Sequence, residues 1–410
     1  MRKKALSLLI CAVMLVGMLP FSAFAEKSFS DTAGHWGEEA ISRWADVGLV
    51  TGYGDGFGPD RPMTRAELCQ VMCNMLNLDT TNAQANVFDD VPADAWFFRP
   101  VSAAYEAGLV SGYGGRTFGP GDTVTREQGM VIMCNALGIK AEADTSILSQ
   151  YQDLASLSDW ARGAAAAMVK AGYVSGVGKN ELGPRANITR AAVLTILNNA
   201  VVTYVNDDYA AEKGGTVDLS GSKGIALIAA SNVTLTGTTD ASVVVSGGNP
   251  VIMRDLKVGS VTVVGPETYV SMDGKTEIGS LAVAANADDA RVTVGAGVQV
   301  KNLEVAGDDA TLSVNGHIET LTQTANAEGL AVTANTGAKI DTAYVNGSDA
   351  SFSGANSTVS KVVAGSSASD VKVATLGTTV VNNSKESIGN VAANTTDVVK
   401  STQSGTASGG

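Results

Sequence analysis

Three arginines stand directly behind threonines, in Thr64-Arg65-Ala66-Glu67, Thr125-Arg126-Glu127-Gln128 and Thr189-Arg190-Ala191-Ala192. Threonine ahead of a helical run is an N-cap, and Glu67 and Gln128 three residues on complete a capping box. Each arginine therefore falls in the first turn of a helix. There the macrodipole is positive, and a cation costs about 0.3–1 kcal/mol. An acid would suit that end better, so the repeated arginine asks for a chemical reason. Free N–H groups beside a guanidinium could hold a carboxylate or phosphate in two-pronged geometry. Alternatively, each arginine pairs with an acidic neighbour inside the fold. Three tryptophans recur in step with them, Trp36, Trp96 and Trp160, and two loop tyrosines, Tyr53 and Tyr113. These rings suit either stacking on a ligand or docking a helix. The two histidines are isolated singletons, so no metal site, cofactor or imidazole catalyst is expected.

The elements that carry these residues come in three copies. The first copy reads Phe29-Ser30-Asp31, Trp36, Gly48-Leu49-Val50-Thr51-Gly52-Tyr53, Phe57-Gly58-Pro59, then the threonine-arginine string. The second has Phe88-Asp89-Asp90, Trp96, Gly108-Leu109-Val110-Ser111-Gly112-Tyr113 and Phe118-Gly119-Pro120. The third has Tyr151-Gln152-Asp153, Trp160, Gly172-Tyr173-Val174-Ser175-Gly176-Val177 and Leu182-Gly183-Pro184. Each copy predicts a helix ending at a glycine, a tight loop, and a second helix. The copies occupy residues 26–82, 83–145 and 146–205. Cys69, Cys73 and Cys134 fall at apolar positions of the second helices and read as core, with a disulfide as the alternative.

This pattern resembles S-layer homology domains, whose units carry a Phe-x-Asp, a Trp, a glycine-tyrosine loop and a Thr-Arg-Ala-Glu helix start. The resemblance implies an all-α, pseudo-threefold bundle of three repeats that binds secondary cell-wall polysaccharide, often pyruvylated. It further implies that Arg65, Arg126 and Arg190 hold the acidic group in grooves between units. Trp36, Trp96, Trp160, Tyr53, Tyr113 and Glu67 would stand around them. The third copy has Val177 for the tyrosine and Ala192 for the capping acid. That predicts Arg190 to be the least important arginine, and none of the three to be needed for folding.

After a linker at 206–214 a second period appears, about 20 residues long, across 215–395. Its core strands begin at Val258, Ile278, Val300, Ile318, Ile340 and Val359. Short strands at a fixed step predict a parallel β-solenoid (β-helix), since a single coil cannot bury its own apolar face. A β-sandwich is the other architecture such strands allow. Acids recur at coil spacing, among them Asp288-Asp289, Asp308-Asp309 and Asp349. Each precedes a strand, where aspartate serves turn formation, with calcium binding or catalysis as alternatives.

Residues 1–25 read as a secretory signal: Arg2, Lys3 and Lys4, an apolar run, then Ala23-Phe24-Ala25. Residues 396–410 read as a disordered polar tail. No later run is long enough for a membrane span. The net charge is −13, which argues against a nucleic-acid partner. The expectation is a secreted, non-enzymatic cell-surface protein of a Gram-positive-type envelope. It would anchor to wall polysaccharide and display the solenoid as a surface-layer or adhesive domain, with self-association in a layer allowed. The alternative is a wall-anchored polysaccharide lyase or glycoside hydrolase with the solenoid catalytic.

Overall fold

The computed structural model describes residues 29–83, 87–247 and 250–389. The expected signal at 1–25 and tail at 396–410 lie outside the described residues. Six α-helices build the amino-terminal half among the described residues, two per copy: α1 (Glu38–Asp46), α2 (Arg65–Leu76), α3 (Phe98–Glu106), α4 (Arg126–Ala136), α5 (Asp159–Lys170) and α6 (Arg190–Ala200). The first helix of each copy runs into Gly48, Gly108 or Gly172, at φ of 76°, 63° and 74°. Only glycine takes that left-handed conformation without strain. Thr64 and Thr125 close full capping boxes with Glu67 and Gln128, whereas Thr189 accepts only the Ala192 N–H.

Helices pack between copies rather than within them. α2 lies on α3, α4 on α5, and α6 closes the circle on α1. At the centre the segments before α2, α4 and α6 join in a three-bond ring. Met63 N donates to Ile188 O (3.0 Å), Ile188 N to Val124 O (2.9 Å), and Val124 N to Met63 O (3.0 Å). That ring is the pseudo-threefold axis in hydrogen bonds. Cys69, Cys73 and Cys134 are free and buried in this core, and burial pushes the Cys73 and Cys134 thiols up to about 12.

The chain passes from α6 straight into β1 (Val201–Val205). The segment read as a linker contains α7 (Asp207–Glu212), capped by Asn206, with Ala210 buried on the solenoid core. β2 (Thr216–Asp218) and β3 (Ile225–Ile228) follow, and β1 pairs with β3. Seventeen strands join one sheet among the described residues, and every pairing between them is parallel. The fold is a parallel β-solenoid, which excludes the sandwich.

The six strand starts stack as the period predicts: Val258 pairs with Ile278, Ile278 with Val300, Val300 with Ile318, Ile318 with Ile340, and Ile340 with Val359. All six side chains are buried in one column. The two exposed or half-buried residues between the first and second apolar positions mark where each coil turns a corner.

Bundle and solenoid share a core. Val201, Ile225, Leu227, Val244 and Val264 pack in the same cluster as the helices. Asn77 Nδ2 donates to Ala229 O (3.0 Å) and Tyr204 Oη to Met75 O (3.2 Å) across the junction.

Candidate functional site

All three arginines are buried, at 5–8% exposure, and each reaches into the loop of the next copy. Arg65 donates through Nε to Phe118 O (2.9 Å) and through Nη2 to Ser111 O (2.8 Å). Arg126 does the same to Leu182 O (3.0 Å) and Ser175 O (2.7 Å). Arg190 closes the cycle on Phe57 O (3.1 Å) and Thr51 O (2.9 Å) of the first copy. None makes an ion pair among the described residues, so the acidic partner considered from sequence is replaced by backbone carbonyls.

The helix starts are also not free. Arg65 N and Ala66 N donate to Asp122 O and Pro120 O; Arg126 N and Glu127 N to Ala186 O and Pro184 O; Arg190 N and Ala191 N to Arg61 O and Pro59 O. The expectation that open N-terminal amides sit beside each guanidinium is corrected here. Those amides already carry the joint between copies, which leaves the guanidinium as the donor to any anion.

Each groove therefore lies between copies. The first, about 360 Å³, is lined by Thr51, Tyr53, Glu67, Gln70 and Asn74 of copy one, Arg190 of copy three and Trp96 of copy two. The Arg190 guanidinium lies 4.9 Å from the Tyr53 ring and 4.2 Å from the Phe57 ring. Tyr53 Oη donates to Glu67 Oε1 (2.9 Å) and accepts from Arg190 Nη1 (3.3 Å). Arg61 bonds both Tyr53 and Glu67. Burial alone would raise the Glu67 carboxyl, but the Thr64 amide, Arg61 and Tyr53 together hold it below its ordinary value. Burial, then the bond to Glu67, raises the Tyr53 phenol, which stays a donor.

In the second groove Arg65 lies 4.5 Å from the Tyr113 ring and 4.4 Å from the Phe118 ring. In the third, Arg126 bonds the loop at Ser175 and Leu182, and the Tyr151 phenol lies within electrostatic reach, but no ring stacks on its guanidinium among the described residues. So the departures of copy three surround Arg126, not Arg190. Trp36, Trp96 and Trp160 are exposed at 62%, 61% and 59%, which separates them from the buried Trp44. The resemblance puts the arginines in grooves between units, but which copy's arginine meets which copy's loop has no signal in the sequence.

The S-layer homology domain profile matches residues 28–69, 87–128 and 150–194. The amino-terminal half is three S-layer homology domains. These repeats mark a secreted protein of the cell surface. The chain is similar to the surface-layer 125 kDa protein of Lysinibacillus sphaericus, 28% identical over 195 residues, 46% of this chain and 16% of that protein. It is 27% identical to S-layer protein EA1 of Bacillus anthracis over 277 residues, 62% of this chain and 31% of that one. An amylopullulanase of Thermoanaerobacterium thermosulfurigenes is 30% identical over 181 residues, 43% of this chain and 10% of the enzyme. The chain spans less than a third of each of these relatives.

Behind the S-layer homology repeats, the recurring acids of the solenoid are engaged in turns. Asp288 Oδ1 accepts from Asp308 N (2.9 Å) and Asp308 Oδ1 from Glu328 N (2.8 Å), linking successive coils. Asp289, Asp309 and Asp349 sit at φ of 56°, 54° and 48°, left-handed turn positions that aspartate tolerates. Elsewhere Asp341 is bonded by Lys339 (2.7 Å) and His317 (2.9 Å), which hold its carboxyl below its ordinary value. No helix of the described residues is long and apolar enough to cross a membrane.

Proposed function

We propose that this chain is held non-covalently on the bacterial cell wall by an acidic, pyruvylated secondary polysaccharide bound in the first and second grooves. The reading is carried by the first groove: a guanidinium without a carboxylate partner, backed by aromatic rings, beside an exposed tryptophan of a neighbouring repeat, with the guanidinium and rings repeated at Arg65. A ketal carboxylate meets the free edge of Arg190 or Arg65, and a sugar face lies on Trp96 or Trp160. Water already has little access to the arginine, so a charge-assisted pair there is stronger than one on an open surface. Arg126, whose facing loop carries Val177 where the other two carry a tyrosine, is the weakest site.

The solenoid is read as a structural or adhesive surface domain able to associate with further copies in a layer. Support comes from alignment length: the match to S-layer protein EA1 covers 62% of the chain, more than its amino-terminal half can hold. The matches to the amylopullulanase and to an exoglucanase of Acetivibrio thermocellus cover 43% and 42%, no more than the repeats need. The solenoid acids, spent on turns, favour the same reading over a wall-anchored hydrolase. The test is retention of the whole chain on purified wall sacculi, before and after chemical removal of the secondary polymer and of its ketal. Retention that survives loss of the polymer overturns the anchoring role. Retention lost with the polymer but not with the ketal overturns the acidic group alone. Release of reducing sugar from wall polymers by the chain would establish the hydrolase instead.

A further inference from the structure

The first groove ends at Gly48 and Asn74. Gly108 and Asn135 hold the same positions in repeat two, but they open into a further cleft of about 310 Å³ whose far wall is the solenoid. The solenoid comes close here: a β-carbon on Gly108 would lie 3.2 Å from Asn286 Cβ. Ala282, Ala284, Ala285 and Ala306 line the wall, and their short side chains leave the room. Lys140 of the bundle and Glu304 of the solenoid close the cleft with a 2.7 Å ion pair. Asn286, a half-buried residue, lines it, and its amide nitrogen is turned away from solvent without a hydrogen-bond partner. An unmade buried donor is costly, so the amide gains by turning into the cleft toward an oxygen acceptor from outside. The volume lies at the low end of small-molecule pockets, roughly 300–1,000 Å³.

We infer that the second groove is composite: its polysaccharide runs past Arg65 into this cleft, and an uncharged sugar unit gives Asn286 a hydroxyl or amide oxygen. This rests on the wall-polysaccharide reading above and extends it to the solenoid, which becomes part of the binding site. Lys140 and Glu304 neutralise each other, so the cleft favours a neutral unit over a second acidic one.

The test uses the full chain carrying Trp96→Ala, which silences the first groove, and secondary wall polysaccharide, intact and cut down to its terminal sugar. Adding Asn286→Ala should weaken the intact polymer roughly 2- to 12-fold, the range of one neutral hydrogen bond. It should leave the terminal sugar unaffected. Because it deletes an unsatisfied buried donor, it should not lower the melting temperature, whereas a merely structural asparagine would. Ala285→Trp, which fills the cleft from its exposed wall, should weaken the intact polymer as well. If both variants bind the intact polymer like their parent while Arg65→Ala weakens it, Asn286 is served by water and the composite site is wrong. If Arg65→Ala also changes nothing, the underlying reading fails first.

Discussion

At the residue scale the three arginines have a structural job and a proposed binding one, and alanine substitution will expose both together. Each supplies donors to two carbonyls of the next repeat, and removing the donor from a buried carbonyl costs about 1–3 kcal/mol. Arg65→Ala, Arg126→Ala and Arg190→Ala should therefore all lower the melting temperature, against the expectation that none is needed for folding. Polysaccharide affinity should separate them. A charge-assisted pair is worth about 1.5–3 kcal/mol, so Arg190→Ala and Arg65→Ala should lose roughly 10- to 150-fold at their grooves. Arg126→Ala, which faces Val177 and Leu182, should lose little. Melting curves followed by isotherms at a temperature where all variants are folded would check this. Equal losses from all three would remove the ranking. Glu67→Gln gives a finer check, because Gln128 already performs the same capping in repeat two. It should leave the α2 cap intact and cost about 1 kcal/mol or less in stability.

At the scale of elements, the loops are held by carboxylates and glycines that repeat with the copies. Asp31 accepts from Phe57 N (2.7 Å) and Gly58 N (2.8 Å), and Asp90 from Phe118 N (2.8 Å) and Gly119 N (2.7 Å). The Phe57 and Gly58 amides hold the Asp31 carboxyl below its ordinary value. At Asp90 burial pushes upward, and the Phe118 and Gly119 amides outweigh it. Carboxylates depressed in the folded state stabilise it above the ordinary carboxylate range and stop doing so as pH falls through the depressed values. The bundle should thus lose stability below about pH 4, the unfolded carboxylate range. Asp90→Asn should flatten that acid limb in melting temperatures measured from pH 3 to 6. Glycine is required at the loop turn for a steric reason. A β-carbon at Gly112 would lie 2.6 Å from both Thr117 O and Phe88. Gly112→Ala must push backbone aside, and should destabilise the chain by about 1–3 kcal/mol.

For the whole molecule, the junction decides cooperativity. Apolar residues of β1 and β3 and of the coils that follow pack in the helical core, so neither half has a complete surface alone. The intact chain should show the bundle melting together with the first coils in one calorimetric transition. A chain cut between 205 and 206 should give a solenoid fragment that is less stable and prone to associate, because β3 loses its β1 partner and becomes an edge. Two independent transitions at unchanged temperatures in the cut and intact proteins would contradict a shared core. The same junction keeps the grooves and the solenoid in a fixed relation, which a flexible linker at 206–214 would not.

Much of this architecture is local and therefore written in the residues themselves. Capping threonines, C-terminal glycines and turn aspartates act within a few positions of their own place in the chain. The 20-residue period forces stacking, since a lone coil leaves Ile278 or Val300 exposed. Sequence could also show that copy three has lost a tyrosine and a capping acid. It could not show which arginine that loss affects, because Arg126 reaches the loop of copy three only through the rotation of one repeat against the next. Nor could it show that the helix-start amides are occupied, that residues 207–212 form a helix on the solenoid, or that Asn286 closes against Gly108. Each of those contacts joins residues far apart in sequence, and only the packing of repeats around their axis, and of the solenoid beneath them, brings the partners within reach.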